Sequence, residues 1–295
     1  MEVMHYFEED LPFYKGNLHA HTTLSDGRKG PEEVIQIFKD HGYDFLALTD
    51  HRKWFPGYED EQILVIPATE FDRNFISEAP EHAYHITGVG LTKPIPQDNS
   101  MSPQEIVDAI QKDGAFCTLA HPAWSLMTAK ECLDLKGYDA IEIYNTISEI
   151  YSGRGLSDLY ADLMASRGRY PLLTAVDDCH YYDRDHCKGY VMVQAKARTR
   201  EDILASLKQG RFYATQGPSI FQITRHDDRV EVTTSPAVKI TFMTNKLYDG
   251  HRTSYAPEGE TITSASYTMN GSDRYVRIEV RDEEGKTAWS NFIIR

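Results

Sequence analysis

Hydrophobic and polar residues form two kinds of segment along the first two thirds of the chain. Short apolar runs typical of strands alternate with longer stretches of helical periodicity. The predicted strands are FYKGNLHAH, FLALTDH, ILVIPATE, YHITGVG, AFCTLAH, AIEIYN, PLLTAVDDCH and YVMVQ. The predicted helices are GPEEVIQIFKDHG, SPQEIVDAIQKDG, RGLSDLYADLMASRG and TREDILASLKQG. Repeated strand–helix units imply parallel strands joined by crossovers, and roughly seven or eight of them favour a closed barrel.

Residues that begin and end helices support these assignments. Ser102 is a predicted N-cap, Pro103 occupies the first helical position, and Glu105 completes a capping box. Gly114 then ends that helix. Thr199 begins the helix of TREDILASLKQG in the same way.

The pattern changes after the segment Thr215-Gln216-Gly217-Pro218. The later segments FQITRHDDRVEVTTS, VKITFMTN, ETITSASYTMN and RYVRIEVRDEEGKTAWSNFIIR alternate apolar and polar residues, with turn sequences between them. Such alternation is typical of a small antiparallel domain of about 80 residues, sandwich-like in architecture. We therefore predict a barrel domain over residues 1–217 and a β-sandwich-like domain over residues 218–295.

Composition narrows the class of protein. The 295 residues are 41% hydrophobic and 26% charged, as in a globular protein, and the formal net charge is −14. This charge argues against binding long nucleic acids. The acidic N-terminal segment lacks a signal-peptide pattern and no apolar run is long enough for a membrane span, so we expect no membrane association. The four cysteines show no paired spacing, which favours reduced thiols and a cytoplasmic location.

Histidines and carboxylates mark the ends of most of the predicted strands. In parallel barrels, functional residues collect at the carboxyl ends of the strands. Ten of the twelve histidines precede residue 190. The strand-end residues are His19, His21, Asp50, His51, Glu70, His85, His121, Glu142, Asn145, Asp178 and His180. So many of these groups at one edge of a barrel indicate a metal site rather than isolated histidines.

Two motifs have the spacing that metal ligands on a strand require. His19 and His21 lie at positions i and i+2, which point to the same side of a strand, and Asp178 and His180 repeat this spacing. Cys179 lies on the opposite face and is not a predicted ligand. The neighbouring aspartates Asp50 and Asp177 also point away, and we expect them to orient imidazoles by hydrogen bonds.

The candidate ligands are too numerous for one ion. They are His19, His21, Asp26, His51, Glu70, His85, His121, Asp178 and His180. An ion that must also bind substrate takes fewer protein ligands, so this set suits two or three ions. Glu70 can bridge two of them because a carboxylate has two oxygens. Imidazole and carboxylate ligands suit Zn²⁺, Mn²⁺ or Fe²⁺.

The same motifs resemble those of a known family. NLHAHTTLSDG, ALTDH, ATEF, HITGVG, LAHP and DDCH resemble, in order, the motifs of the polymerase and histidinol phosphatase (PHP) domain. Asp26 matches the subset with a carboxylate in place of the third histidine of the first motif. GRFYATQGPSI resembles the branch with a C-terminal β domain. The resemblance implies a distorted (βα)7 barrel with a two- or three-metal site that acts on phosphate esters.

The resemblance also implies three ligand sets. The first ion takes His19, His21, Glu70 and Asp178; the second takes Asp26, His51 and His180; the third takes Glu70, His85 and His121. His82 is an alternative to His85, but His85 joins the apolar run directly, whereas His82 fits a surface loop.

The expected reaction is hydrolysis of a small phosphorylated metabolite or nucleotide. The mechanistic hypothesis is that a metal-bridging hydroxide attacks phosphorus in line. Glu70, Asp178 and His180 are the predicted catalytic residues. Arg154 and Lys188 are the predicted contacts to the substrate phosphate.

Other functions remain open on the sequence. Amidohydrolase-type enzymes also use His-x-His and hydrolyse carbamates or carboxylic esters, but no lysine accompanies Glu70 or His85 as their bridging ligand. A non-catalytic, metal-stabilised binding scaffold is the second alternative, and the oligomeric state is undetermined. Trp54 and Phe55 could stack on a substrate ring, although packing against the barrel is the favoured interpretation.

Overall fold

The computed structural model describes residues 3–74, 82–98 and 100–295. The helices are α1 (Pro31–Asp40), α2 (Pro103–Asp113), α3 (Ala129–Asp134), α4 (Thr146–Ser152), α5 (Asp158–Ser166) and α6 (Arg200–Lys208). The strands before residue 216 are β1 (Val3–His5), β2 (Phe13–Asn17), β3 (Phe45–Ala47), β4 (Tyr58–Glu59), β5 (Leu64–Ile66), β6 (Ala68–Asn74), β7 (Ala83–Val89), β8 (Phe116–Leu119), β9 (Ala140–Asn145), β10 (Leu172–Val176), β11 (Tyr190–Gln194) and β12 (Phe212–Thr215). The later strands are β13 (Ile220–His226), β14 (Arg229–Ala237), β15 (Lys239–Thr244), β16 (Thr253–Tyr255), β17 (Ile262–Thr268), β18 (Tyr275–Arg281), β19 (Thr287–Ser290) and β20 (Ile293–Ile294).

The helix signals of the sequence are confirmed. The Ser102 hydroxyl accepts a hydrogen bond from the Glu105 amide, and the Glu105 side chain accepts from the Ser102 amide, which completes the capping box of α2. Gly114 ends α2 in the left-handed conformation with φ of 83°. Thr199 caps α6 by accepting from the amide of Asp202.

Two sheets carry the strands that lead to the candidate site. The first has the order β10-β9-β8-β7-β6, and the second includes the run β12-β11-β2-β3-β5-β4. The expectation that all these strands run parallel is wrong for β7 and β11, which are antiparallel to both of their neighbours. The segment between β6 and β7 is shorter than the dozen or so residues that a parallel crossover needs, so β7 must run antiparallel.

The two sheets meet at the end of the strands where the candidate ligands lie. The amide of Asp178 donates to the carbonyl of His19 over 2.8 Å, which joins the end of β10 to the end of β2. The amide of Glu70 donates to the carbonyl of Thr49 over 3.0 Å, which joins β6 to the end of β3. The strand–helix alternation of a (βα)7 barrel is incomplete, because the described segments between β3 and β6 and between β10 and β11 contain no helix.

The C-terminal region is built from antiparallel strands, as predicted. β1, β13, β14 and β17 form one sheet, and the longer sheet continues through β12 into β19, β18, β15 and β16. A shared apolar core includes Val232 of β14, Phe242 of β15 and Ile278 of β18, so the two sheets pack face to face. The continuous sheet crosses the predicted boundary after Gly217, and the division into 1–217 and 218–295 stays a prediction.

A buried arginine connects the β-strand region to a helix of the preceding part. Arg277 of β18 has no exposed surface, and its Nε and Nη2 donate to the two carboxylate oxygens of Asp162 in α5 over 2.8 and 2.9 Å. Its Nη1 donates to Glu279 over 2.5 Å. The guanidinium is therefore fully paired, as a buried charge must be.

Replacing Arg277 by methionine is expected to lower the free energy of unfolding by about 3 kcal/mol, because two carboxylates lose their buried partner. Urea denaturation measures this change. Arg229→Met is the matched control, since the exposed pair of Arg229 with Glu231 contributes at most about 1 kcal/mol. Equal effects of the two substitutions would show that the buried ion pair does not stabilise the fold.

The cysteines and the helices bear on the predicted cytoplasmic location. Cys117, Cys132, Cys179 and Cys187 are all free thiols, as predicted. Within the described ranges, no helix combines the length and the apolar character needed to cross a membrane. The cytoplasmic location stays a prediction.

Candidate metal centre

The strand ends bring all nine candidate ligands to one region of the molecule. His19 and His21 follow β2, His51 follows β3, His121 follows β8, and Asp178 and His180 follow β10; Glu70 lies in β6, His85 in β7 and Asp26 in the loop after β2. His85 is the third residue of β7, and Glu70 is likewise the third residue of β6, whereas the other ligands follow their strands. Because β7 runs antiparallel, its N-terminal end lies at the same edge as the C-terminal ends of its neighbours.

The first group of ligand atoms surrounds the two histidines of the His-x-His motif. Nε2 of His19 and Nε2 of His21 are 3.1 Å apart, as expected for side chains at i and i+2. Both nitrogens face Oδ1 of Asp178, at 3.2 and 3.0 Å. Both also face Oε2 of Glu70, at 3.3 and 3.1 Å. These four side chains are buried and form the set predicted for the first ion.

The second group lies nearer to solvent. Asp26, His51 and His180 lie with His21 in a cluster whose ligand atoms are all within 4.8 Å of one another. Nε2 of His180 is 3.4 Å from Oδ1 of Asp26, and Nε2 of His51 is 3.8 Å from Oδ2. The Asp26 side chain is 55% exposed, so this group forms the entrance of the centre.

The third group shares Glu70 with the first. Oε1 of Glu70 lies 3.0 Å from Nδ1 of His85 and 3.8 Å from Nε2 of His121. Oε2 lies 3.1 Å from Nδ1 of His51, so the cluster of possible ligands here contains His51 with Glu70 and His85. His121 is farther away and also lies 3.7 Å from Asp178. The Glu70 carboxylate thus lies between two groups of imidazoles. A ligand that bridges two ions would occupy this position.

Two buried carboxylate oxygens of these groups are orphaned. Oε2 of Glu70 and Oδ1 of Asp178 have no hydrogen-bond partner within the described part of the chain, although imidazole nitrogens lie close to both. Buried polar atoms without a partner are costly and rare. Two nitrogens bound to one ion at about 2.1 Å each lie roughly 3.3 Å apart, close to the spacing of His19 and His21. The donor set and its spacing therefore fit divalent cations.

The charges of the cluster favour positive charge at its centre. Burial opposes protonation of His19, but the carboxylates of Asp178 and Glu70 outweigh it and hold the histidine pKa well above its usual value. Against the same effect of burial, the pKa of His21 is raised to about 9 by Asp178 and Glu70. Burial likewise opposes ionisation of Glu70, yet the surrounding imidazoles hold its pKa well below the usual range. A field that stabilises imidazolium also attracts a metal cation.

Two site residues adopt left-handed backbone conformations. His121 has φ of 30° and Asp178 has φ of 53°. This region is uncommon for residues other than glycine, and such residues cluster at functional sites. The local backbone thus places both side chains in the centre at some conformational cost.

Glu142 lies at a predicted strand end, but its role in the site is not visible in the sequence. Its Oε1 accepts from Nδ1 of His19 over 2.6 Å, which leaves Nε2 of His19 facing the centre. Its Oε2 accepts from the amide of His121 over 2.9 Å and from Nδ2 of Asn145 over 2.8 Å. Asn145 also donates to Oδ2 of Asp178 over 3.1 Å. Glu142 therefore orients ligands of the centre from β9.

The expectation that Asp50 and Asp177 orient imidazoles is wrong for Asp177. Asp50 reaches an imidazole only through Ser25, whose hydroxyl donates to Asp50 over 2.7 Å and lies 3.4 Å from Nδ1 of His21. Asp50 accepts from the amides of Thr22 and Ser25 over 2.7 and 3.1 Å. Asp177 accepts from the backbone amides of residues 187–189 over 2.7 to 2.9 Å. Both carboxylates satisfy loop amides, so they fix the loops that carry or adjoin the ligands.

Replacing Glu142 by glutamine is expected to weaken metal binding by about 10- to 100-fold, because a hydrogen-bonded carboxylate behind a ligating histidine orients it and raises its basicity. Titration of the metal-free protein with Zn²⁺ measures this change. Glu131→Gln, at the exposed cap of α3, is the control and should bind Zn²⁺ as the unaltered protein does. Unchanged affinity in Glu142→Gln would remove Glu142 from the centre.

A cavity of about 370 Å³ opens onto the ligands. It is lined by Asp26, His51, Glu70, His85, His121, Trp124, Ile147, Ser148, Tyr151, Ser152, Asp178, His180 and Tyr181. Neither Arg154 nor Lys188, the predicted phosphate contacts, is among these lining residues. Arg154 lines a neighbouring depression with Trp124 and His82. Their contact with substrate stays a prediction, and His85 rather than His82 faces the cavity.

Trp54 and Phe55 lie away from the cavity lining. Trp54 packs against the core cluster that contains Phe71, and Phe55 packs against the cluster around Phe38. The interpretation that both residues pack against the fold is confirmed.

No family model matches the chain. An uncharacterized protein of Methanocaldococcus jannaschii is 26% identical over an alignment of 146 positions, and the match covers 44% of this chain and 81% of that protein. A two-domain protein from Bacteroides vulgatus, described as containing a predicted PHP-like metal-dependent phosphoesterase, superposes with a TM-score of 0.55 at 16% identity. The superposition covers 99% of this chain and 98% of that protein. The resemblance to the PHP domain is therefore confirmed at the level of the fold.

Two further solved structures match part of the chain. An amidohydrolase from Chromobacterium violaceum and a proposed metal-dependent phosphoesterase from Bifidobacterium adolescentis each superpose with a TM-score of 0.42. They are 16% and 14% identical, and they cover 58% and 56% of this chain and 89% and 87% of their own. At this level of superposition neither likeness bears on function.

Proposed function

We propose that this protein is a metal-dependent phosphoesterase that hydrolyses a small phosphorylated metabolite or nucleotide at a centre of two or three divalent cations. The observation that carries the proposal is the buried carboxylate of Glu70. Its Oε2 has no hydrogen-bond partner in the described structure, although imidazoles of His19, His21 and His51 lie 3.1 to 3.3 Å away. The fold likeness to a protein described as containing a predicted PHP-like metal-dependent phosphoesterase supports the same proposal.

We assign the candidate ligands to three ions, with Glu70 as the bridge between two of them. His19, His21, Glu70 and Asp178 would hold the first ion; Asp26, His51 and His180 would hold the second; Glu70, His85 and His121 would hold the third. The mixture of nitrogen and oxygen ligands suits Zn²⁺, Mn²⁺ or Fe²⁺ better than Mg²⁺ or Ca²⁺, which prefer oxygen ligands alone.

The cavity needs cations in order to bind phosphate. Its charged lining residues, within the described chain, are carboxylates and histidines, with no lysine or arginine among them. Divalent cations supply the positive charge that attracts a phosphate ester and stabilises its transition state, and they make water a stronger nucleophile at neutral pH. Glu70 and Asp178 place that positive charge through their orphaned oxygens.

His180 is positioned to act at the entrance. Its Nδ1 donates to the carbonyl oxygen of Asp178 over 2.7 Å, which leaves Nε2 facing Asp26 and the cavity. A fixed tautomer of this kind lets one nitrogen bind a cation or exchange a proton with the substrate. We therefore assign catalytic roles to Glu70, Asp178 and His180.

The proposal also includes a fold and a cellular location. We infer that the two sheets, joined at the ends of β2, β3, β6 and β10, form a distorted barrel of the PHP type. The net charge of −14 and the free cysteines support an enzyme of the cytoplasm that acts on small phosphorylated substrates, and neither on long nucleic acids nor at membranes.

A substrate screen tests the proposal. The protein is loaded with Mn²⁺, Zn²⁺ or Fe²⁺ and assayed on sugar phosphates, nucleotides, aryl phosphates, carboxylic esters and carbamates. We expect inorganic phosphate to be released from at least one class of phosphate monoester. Hydrolysis restricted to carboxylic esters or carbamates would replace the proposal by an amidohydrolase-type activity. No turnover by protein with a full metal content would indicate a binding scaffold.

A further inference from the structure

The cavity has a second wall of a different chemistry from the ligand wall. Trp124, Tyr151 and Tyr181 line it and are 37%, 51% and 39% exposed, and Ile147 lies beside them. Three exposed aromatic rings at one cavity leave apolar area for a ligand to cover. No part of the proposed metal chemistry uses these residues.

Each ring of this aromatic wall is held by a neighbour. The Trp124 ring lies edge-on to His121, with centroids 4.9 Å apart. The Tyr151 ring lies edge-on to Tyr181 at 5.1 Å, and its hydroxyl donates to Asp183 over 3.1 Å. The guanidinium of Arg28 lies 4.4 Å from the centre of the Tyr181 ring. The wall is therefore a preformed surface rather than a set of free side chains.

The helix α4 presents part of this wall directly beside the centre. Ile147 and Tyr151 are four residues apart on α4 and share one face of it. Asn145 caps α4 by accepting from the amide of Ser148, and the same side chain donates to Asp178. One residue thus ties the position of the aromatic wall to a carboxylate of the centre.

The aromatic wall presents no cationic side chain among the described residues that line the cavity; the Arg28 guanidinium packs on the Tyr181 ring but is not among them. In the described chain no lysine or arginine lines the cavity, and the Tyr151 hydroxyl already donates to a carboxylate. A phosphate group therefore belongs at the opposite wall, among the metal ligands. What remains for the aromatic wall is the other half of the ester, its alcohol group.

We propose that the substrate is a phosphate monoester of an uncharged, ring-bearing alcohol, whose ring packs on Trp124, Tyr151 and Tyr181. This inference rests on the proposed phosphoesterase function and names its substrate class. In the reaction, the oxygen of water forms a bond to phosphorus and the ester P–O bond breaks. The leaving oxygen takes up a proton from that water, so the products are the alcohol and inorganic phosphate.

The test compares esters of primary alcohols, so that the reactivity of the leaving group stays similar. The metal-loaded enzyme is assayed on 2-phenylethyl phosphate, ethyl phosphate and 2-(4-carboxyphenyl)ethyl phosphate. We expect kcat/KM for the phenyl ester to exceed that for the ethyl ester by about 10- to 100-fold, since stacking and burial of one ring are worth that much. The kcat/KM for the ester with the carboxylated ring should be about tenfold lower than that for the phenyl ester.

Substitutions in the aromatic wall test whether its rings cause the preference for the phenyl ester. Trp124→Ala and Tyr151→Ala should each lower the ratio of phenyl to ethyl ester by about tenfold. Because Trp124 contacts the candidate ligand His121, its substitution could also change metal binding, and Tyr151→Ala serves as a second variant. The metal content of both variants is therefore measured. Tyr255→Ala, at an exposed tyrosine of β16, is the control and should leave the ratio unchanged.

The outcomes separate the two proposals. Hydrolysis of all three esters at similar kcat/KM would overturn the aromatic-wall inference and leave the phosphoesterase proposal standing. A ratio that the wall variants do not change would also overturn the inference. If the metal-loaded enzyme hydrolyses none of these esters or those of the wider screen, both proposals fail.

Discussion

Replacing Glu70 by glutamine is expected to lower kcat by at least about a thousandfold. The carboxylate is buried, and its two oxygens face two groups of imidazoles, so one substitution disturbs two proposed ion sites. The amide of glutamine presents a donor in place of an oxygen ligand and removes one negative charge. Several kcal/mol of transition-state stabilisation are lost when a catalytic cation is misplaced. Phosphate release and elemental analysis together measure the effect.

The control for Glu70→Gln is Glu258→Gln, the same chemical change at an exposed position outside the centre. It should retain both metal and activity. Glu70→Gln with a full metal content and unchanged kcat would show that Glu70 neither bridges ions nor takes part in the reaction.

Removal of metal should abolish activity and destabilise the fold. Without cations, Glu70 and Asp178 keep orphaned oxygens in the core. A ligand that binds only the folded state stabilises it by about 2.7 kcal/mol at a hundredfold excess over Kd. For a chain of this size that corresponds to a rise in Tm of roughly 5 °C or more when metal is restored. Dialysis against a chelator, followed by activity assays and thermal unfolding, measures both effects.

The choice of metal provides the matched control. Mn²⁺, Zn²⁺ or Fe²⁺ should restore both activity and Tm, whereas Mg²⁺ should restore much less, because the centre offers six histidines and Mg²⁺ prefers oxygen ligands. Full activity after chelation, in protein shown to be free of metal, would contradict the proposed role of cations.

Local signals in the sequence predict the helices better than they predict the sheet. The capping residues of α2 and α6 are visible in the sequence because they act within four residues of the helix start. Neither α3 nor α4 is among the predicted helices, although the capping box of α3, Thr128 with Glu131, has the same signature. The antiparallel direction of β7 is not visible in the strand pattern itself, since both orientations accept a buried apolar run. Pairing of β12 with β19 joins residues far apart in the chain, which no local pattern encodes.

The candidate ligands were easier to predict than the residues that support them. Strand ends place ligands at one edge by geometry alone, so histidines and carboxylates there are recognisable in advance. Glu142 is also at a strand end, but its role depends on where His19 points in three dimensions. The role of Asp177 is not visible in the sequence, because adjacency in sequence to a ligand does not show which loop amides surround a carboxylate.

Anomalous scattering from crystals soaked in Mn²⁺ or Zn²⁺ tests the central claim most directly, because it locates the ions and identifies their ligands. We expect two or three peaks, one between His19, His21 and Asp178, with another beside Asp26 and His180. At least one peak should contact Glu70. An ordered centre that shows no peak with either metal, at concentrations that saturate known sites of this ligand type, would contradict the account.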